Sequence, residues 1–255
     1  MMATPRILLS FDQAVLSTNS PDTLVLSRKV NNTYSTAFAV ASLNPRDSST
    51  SQLFSQNVFA WEDSFRVLVS HNHSGSASAL SASITNAVDV RHGEAVKFSR
   101  NMLLPATKIP DFAELHGKEK GGILFTVADM PVACRVEVMQ VVGGNKSARI
   151  YQSEEAGGMS RVADVEVSDT FMLFWTERNV PLGGRVVAPQ PGHGGFEIKI
   201  DTHQSAASSV AFVRFGYVRP DQPDAGESPS WYLISPGSAG LLLDDSAYSL
   251  VRITR

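Results

Sequence analysis

Cysteine is almost missing from this chain of 255 residues: Cys134 is the single one. No disulfide can form within the chain, which excludes the small disulfide-stapled folds. A run of about 18 apolar residues is also missing, so no membrane-crossing helix is expected. Neither charge dominates, since 22 Lys and Arg stand against 25 Asp and Glu, for a net charge of −3. Such a balance offers no general electrostatic footprint for nucleic acid and no polybasic patch for an anionic membrane. The apolar stretch Ile7-Leu8-Leu9 breaks at Asp12, too short for a signal-peptide core. Catalytic signatures are absent as well. There is no Cys-x-x-Cys, no His-Glu-x-x-His, no Gly-x-Ser-x-Gly elbow and no phosphate-binding loop leading into a helix. The expectation is a soluble, cytoplasmic, globular protein with no cofactor, no nucleic-acid partner and no membrane partner.

What is present is alternation. Phe196, Ile198 and Ile200 alternate with Glu197, Lys199 and Asp201. Side chains on a strand point to opposite faces in turn, so the apolar set faces a core and the charged set faces water. Cys134, Val136 and Val138 repeat the pattern against Arg135 and Glu137, as do Ile123, Phe125 and Val127, and Val213, Phe215 and Tyr217. Turn clusters separate these runs, among them Gly143-Gly144-Asn145, Gly183-Gly184 and Pro191-Gly192-His193-Gly194-Gly195. Short alternating strands between such turns predict an all-β fold built of two β-sandwich-like halves. One short helix is expected at Pro110–His116, with Gly117 as its stop.

Two segments read alike. Trp61-Glu62-Asp63-Ser64-Phe65-Arg66-Val67-Leu68-Val69-Ser70 matches Val167-Ser168-Asp169-Thr170-Phe171-Met172-Leu173-Phe174-Trp175-Thr176 in character. Each is a strand, an Asp followed by a hydroxyl residue, then an aromatic-led apolar strand, and Asp with Ser or Thr is turn chemistry. An internal duplication would produce this, and so would two unrelated hairpins. The boundaries expected are residues 1–108 for an N-terminal half, 109–122 for a linker carrying the charged cluster Lys118-Glu119-Lys120, and 123–255 for a C-terminal half.

Val58-Phe59-Ala60-Trp61-Glu62-Asp63-Ser64-Phe65, together with Leu173-Phe174-Trp175-Thr176-Glu177-Arg178-Asn179-Val180-Pro181-Leu182 and the later Val213-Arg214-Phe215-Gly216, resembles a group of filamentous-fungal proteins of unassigned function. The resemblance covers about half the chain in scattered pieces. It implies an all-β fold and a soluble protein, and it carries over no catalytic residue.

The polar motifs read mostly as structure. His71-Asn72-His73 puts two imidazoles on one strand face, yet no carboxylate follows among Ser74 to Ser83, so no metal site is expected. Gly192-His193-Gly194-Gly195 leads into a strand and reads as a hairpin turn. Cys134 sits on an apolar strand face as a buried thiol. The acidic pairs Asp244-Asp245 and Asp221/Asp224 read as solvated turns. Asn31-Asn32-Thr33, Asn72-His73-Ser74 and Asn145-Lys146-Ser147 are glycosylation sequons, read as unused without a secretory signal.

The aromatics remain as the candidate chemistry. Trp and Tyr stack on sugar rings or polycyclic molecules and add one hydrogen bond each. The candidate ligand-binding residues are Trp61, Arg66, Met172, Phe174, Trp175, Trp231 and Tyr232, with Arg185 as a further hydrogen-bond donor. Adjacent rings at Trp231-Tyr232 face opposite ways on a strand, so one leaves the core. Three readings follow. The first is a lectin-like or small-molecule-binding protein that takes a glycan or a partly apolar organic ligand. The second is a cofactor-independent cyclase or isomerase of secondary metabolism, pericyclase-like, working in an apolar cleft between the halves by orientation and preorganised hydrogen bonds. The third is a self-assembling protein, and homo-oligomerisation fits any of them. The binding protein leads.

Overall fold

The alternating segments form strands, and nearly all regular structure is strand. The structure is a computed structural model that describes residues 5–12, 16, 23–45, 50–71, 82–83, 86–100, 102–112, 122–129, 134–142, 146–153, 162–177, 179–189, 194–200, 210–216 and 230–234. Among them are seventeen strands. The first ten are β1 (Arg6–Phe11), β2 (Thr23–Val30), β3 (Ala39–Ser42), β4 (Ser51–Gln52), β5 (Gln56–His71), β6 (Ala82–Ser83), β7 (Val88–Val90), β8 (Glu94–Ser99), β9 (Met102–Leu103) and β10 (Thr107–Lys108). The rest are β11 (Gly122–Ala128), β12 (Cys134–Val142), β13 (Lys146–Gln152), β14 (Val162–Thr176), β15 (Gly195–Lys199), β16 (Val210–Gly216) and β17 (Ser230–Ile234). Of the helix expected at Pro110–His116, only Pro110 to Phe112 are described, as a turn with Asp111 at φ 55° followed by a buried Phe112. A strand expected at residues 247–254 lies outside the described residues.

The strands make two curled sheets, and the all-β class with two sandwich-like halves holds. One sheet runs β13-β12-β5-β1-β16-β17, with β6 and β7 also on β5. The other runs β10-β8-β11-β14-β2-β3-β4, with β15 on β14 and β9 on β8. Read from the hairpin end, β13-β12-β5-β1-β16-β17 and β3-β2-β14-β11-β8-β10 are the same arrangement. In each, a hairpin joins a long strand, then an antiparallel neighbour, then a parallel strand (β1 with β16, β11 with β8) and an antiparallel edge. The halves of the fold are therefore the two sheets, and each sheet takes strands from both sides of residues 109–122. Taken in chain order, β1, β2, β3, β5 and β8 correspond to β11, β12, β13, β14 and β16.

The Asp-hydroxyl pairs do not end strands; they bulge them. Trp61 pairs Val142 and Phe65 pairs Gln140, so Glu62, Asp63 and Ser64 face Val141 alone. Val167 pairs Val30 and Phe171 pairs Arg28, so Ser168, Asp169 and Thr170 face Lys29 alone. The two look-alike segments thus carry the same bulge at the same place. A bulge bends its strand, which lets one long strand serve both ends of a curled sheet.

The inward faces of the sheets pack one core that includes Ile7, Leu26, Trp61, Phe65, Phe125, Val138, Phe171 and Val213. At its centre lies a polar group. Arg28 is 1% exposed, with its guanidinium carbon 5.1 Å from the Phe65 ring centroid and 5.3 Å from that of Phe171. It donates to the Ser168 carbonyl from Nε (2.9 Å), to Gln140 Oε1 (2.8 Å) and to Asp169 Oδ1 (2.6 Å). Gln140, which holds the matching place on β12, donates to the Glu62 carbonyl (2.9 Å). Phe65 and Phe171 hold matching register positions, as do the two carbonyl acceptors, so this cluster sits where corresponding parts of the two sheets meet. A buried charge is tolerated only when paired and hydrogen-bonded, and Arg28 is both.

Candidate functional site

A second apolar cluster lies on the outer face of the β14 sheet. Val25, Ala37, Val40, Met172, Phe174 and Val180 are buried there, against Tyr34, Val186 and Ala188. The segment 179–189 straps across this face. Its backbone is pinned by Gly183 N to the Ala37 carbonyl (2.8 Å), Ala37 N to the Gly184 carbonyl (2.8 Å) and Val186 N to the Ser35 carbonyl (3.0 Å). Two glycines allow the close fit. A Cβ on Gly183, at φ +71°, would stand 2.9 Å from the Arg149 backbone nitrogen. One on Gly195 would stand 2.6 Å from the Met172 sulfur. A side chain at Gly183 would meet fixed backbone of β13, and one at Gly195 would also stand 2.9 Å from Pro189 of the strap, so either would force a shift.

Where the strap leaves the sheet it opens a cleft of about 900 Å³. The walls are the β2–β3 turn (Asn31, Thr33, Ser35, Thr36), the end of β13 (Tyr151, Gln152) and the strap (Val180, Arg185, Val186, Val187), with Phe174 and Thr176 of β14. The turn is a two-residue hairpin with Asn31 at φ 46° and Asn32 at φ 61°, values that Asn tolerates better than most residues. Asn31 is also tied to the sheet. Its amide nitrogen donates to Tyr151 Oη (3.2 Å) and the Asp164 carbonyl (3.1 Å), and its oxygen accepts from Glu166 N (2.7 Å). The sequon asparagine is thereby engaged within the fold.

Behind the cleft runs a hydrogen-bond chain. Arg185 Nε donates to Gln152 Oε1 (3.3 Å), and Gln152 Nε2 donates to Glu137 Oε1 (3.0 Å). Ser70 Oγ donates to the same Glu137 oxygen (2.6 Å), and Arg149 lies 3.6 Å from Oε2. Glu137 is buried and Arg185 is exposed, so the chain ties a surface cation to an interior carboxylate. To the side of the cleft, Tyr34 donates to Glu197 (2.5 Å). Its phenol is held well above the usual range, first by burial, then by that hydrogen bond, then by the negative charge of Glu197. Burial also raises the Cys134 thiol.

The residues expected to bind ligand fall in several places. Phe174 lines the cleft, and Met172 is fully buried in the same outer cluster. Trp61 is 1% exposed in the main core, between Phe38 (5.6 Å) and Phe171 (4.7 Å), and its indole N–H has no acceptor among the described residues. Trp175 is half-buried beside Phe11 (5.8 Å) and Phe215 (5.9 Å). Trp231 and Tyr232 stand opposite Phe215 and Arg214 in register, and their side chains lie outside the described residues. Arg66 is exposed and paired with Asp89 at 2.8 Å. The structure therefore brings Met172 and Phe174 together and does not bring Trp61 or Arg66 to them. The polar cleft residues that the sequence did not single out as binding residues are Asn31, Thr33, Ser35, Thr36, Tyr151, Gln152 and Thr176. Their one sequence signal was the Asn31-Asn32 turn.

Among the described residues no group of three or more His, Cys, Asp or Glu is placed to hold a metal ion. His73 and the two acidic pairs lie outside the described residues. Gly194, at φ +91°, precedes β15, and Gly192 and His193 lie outside the described residues. No helix among the described residues is long and apolar enough to cross a membrane. Comparison with protein-family models, with curated proteins and with solved structures returns no match for this chain.

Proposed function

We propose that the protein binds a small, hydroxylated and partly apolar organic molecule in the strap cleft, without a cofactor. One observation carries this reading: polar groups already fixed by hydrogen bonds converge on a concave space with an apolar floor. Asn31, Tyr151 and Gln152 are held by partners, while Phe174, Val180 and Val186 supply the apolar surface. A volume of about 900 Å³ falls in the range of small-molecule sites. Because the polar groups are preorganised, little ordering entropy opposes binding. A glycan or a partly apolar metabolite suits such a lining. A cyclase would be better served by a closed, mostly apolar cavity, whereas this cleft is open and lined by polar as well as apolar groups, which favours the binding reading.

The test is a thermal-shift screen with simple glycans and with polycyclic apolar compounds. A ligand that binds only the native state raises the melting temperature by mass action. Thr33 is exposed on the cleft wall, so Thr33→Trp should leave the unliganded melting temperature near that of the parent and remove the shift. A shift that survives Thr33→Trp places the ligand elsewhere and refutes the assignment.

A further inference from the structure

We infer that the molecule bound in this cleft is an organic acid, and that Arg185 takes its carboxylate; the inference rests on the cleft being the binding site. The charge inventory points there. Among the described residues lining the cleft, Arg185 is the sole charged side chain, and no Asp or Glu lines it. Four other arginines are already paired with carboxylates: Arg28 with Asp169, Arg66 with Asp89, Arg149 with Glu137 and Arg214 with Asp12. Arg185 spends only its Nε, on Gln152. Its two terminal nitrogens have no partner among the described residues.

The guanidinium is also positioned. Gln152 must turn its oxygen toward Arg185, because its Nε2 is committed to Glu137. The backbone at Arg185 is bridged to Thr36, and the next residue bonds to Ser35. A side chain held at its base and at Nε presents its outer N–H pair as a fork, the geometry that matches a carboxylate through two parallel hydrogen bonds. Among the described residues the lining offers no second cation and no glycine-rich cradle, so one guanidinium matches a singly charged carboxylate better than a phosphate dianion. Val187 indicates what is attached to that carboxylate. It is 91% exposed and lines the same cleft as Arg185. An apolar body carried by the acid would cover it.

The experiment is calorimetric titration of the full chain with two matched pairs of probes: glucuronate against glucose, and 4-hydroxycinnamate against 4-hydroxycinnamyl alcohol. The pairs separate a sugar acid from an aromatic acid. The expected result is that one acid binds at least tenfold tighter than its neutral partner. Arg185→Gln should reduce that affinity tenfold or more and the neutral partner's by less than twofold, and Arg185→Lys should restore part of it. Melting temperatures of both variants should stay at the parent value, since Arg185 is exposed. Equal affinity for acid and neutral partner, both lost in Thr33→Trp, would overturn the carboxylate assignment and leave the cleft as the site. Acid preference that persists in Arg185→Gln would overturn it as well. No binding by any of the four probes at millimolar concentration would overturn the cleft reading and this inference together.

Discussion

The outer faces of the two sheets occupy equivalent places and carry opposite chemistry. On the β14 sheet the positions are Val25, Val40, Met172 and Phe174. On the β5 sheet the matching positions are Glu137, Gln152, Arg66 and Leu68. The first set is buried beneath the 179–189 strap. The second holds an exposed Arg66–Asp89 pair and the chain from Ser70 through Glu137 to Gln152. One scaffold therefore supports an apolar face beneath the strap and a second face of polar groups, with Ser70 and Glu137 buried and Arg66 and Asp89 exposed. The cleft forms at their border, where the strap leaves the first face and Arg185 reaches Gln152 of the second.

The sharpest way to break this comparison acts on the centre, where the repeats are most alike. Arg28→Gln strips the cation from buried Asp169 and should cost about 3–5 kcal/mol, as breaking one side of a buried pair does. Asp63 holds in the other bulge the place that Asp169 holds in this one. Combining Arg28→Gln with Gln140→Arg moves the cation to the corresponding position on the other sheet, and it should recover about 2 kcal/mol, a coupling typical of contacting residues. Urea unfolding of the single and double variants measures this. No recovery would mean that the correspondence stops at the backbone.

The outer faces give a second, smaller effect. Val25→Glu places on the covered face the residue that the other sheet has at Glu137, but without Ser70 or Gln152 to receive it. A loss of about 3 kcal/mol in urea unfolding is expected, because the carboxylate loses its water and gains no partner. A loss under about 0.5 kcal/mol would mean that the strap does not seal that face.

The smallest effect concerns Tyr34, at the edge of the covered face. Its phenol titrates above the ordinary value of about 10 when folded, so its stabilising contribution is complete below that pH and drains away as the pH rises beyond it. The parent melting temperature should fall more steeply above pH 10 than that of Tyr34→Phe. Parallel curves would detach Tyr34 from the stability of the strap face.

Strand positions were legible where alternation was clean. Cys134–Val142, Gly195–Lys199 and Val210–Gly216 are strands that carry the alternating sets Cys134, Val136 and Val138, Phe196 and Ile198, and Val213 and Phe215. Residues 6–11 were not recognised as a strand, since Arg6-Ile7-Leu8-Leu9 shows no alternation, and β1 earns its place by lying between β5 and β16. The expected breaks at Asp63-Ser64 and Asp169-Thr170 became bulges, because neighbours on both sides of the long strands supply more hydrogen bonds than a local turn would. At the cleft, Phe174 and Arg185 were legible as candidates. Asn31, Tyr151 and Gln152 were not, for a polar residue on a strand or turn comes to line a cleft only through the neighbours it meets.

The amino-acid sequence by itself determined the class of the fold, the facing of most strands and the likeness of the two long-strand segments. Those are local properties: a period of two and a pair of turn-forming residues act within a few positions of themselves. Tertiary structure decided which strands pair, and it joined β1 to β16 and β5 to β12 across the length of the chain. It likewise decided that Asn31, Gln152 and Arg185 share one cleft. Partner choice is settled by which association buries the most apolar surface while satisfying every buried polar group, and that sum runs over the whole molecule.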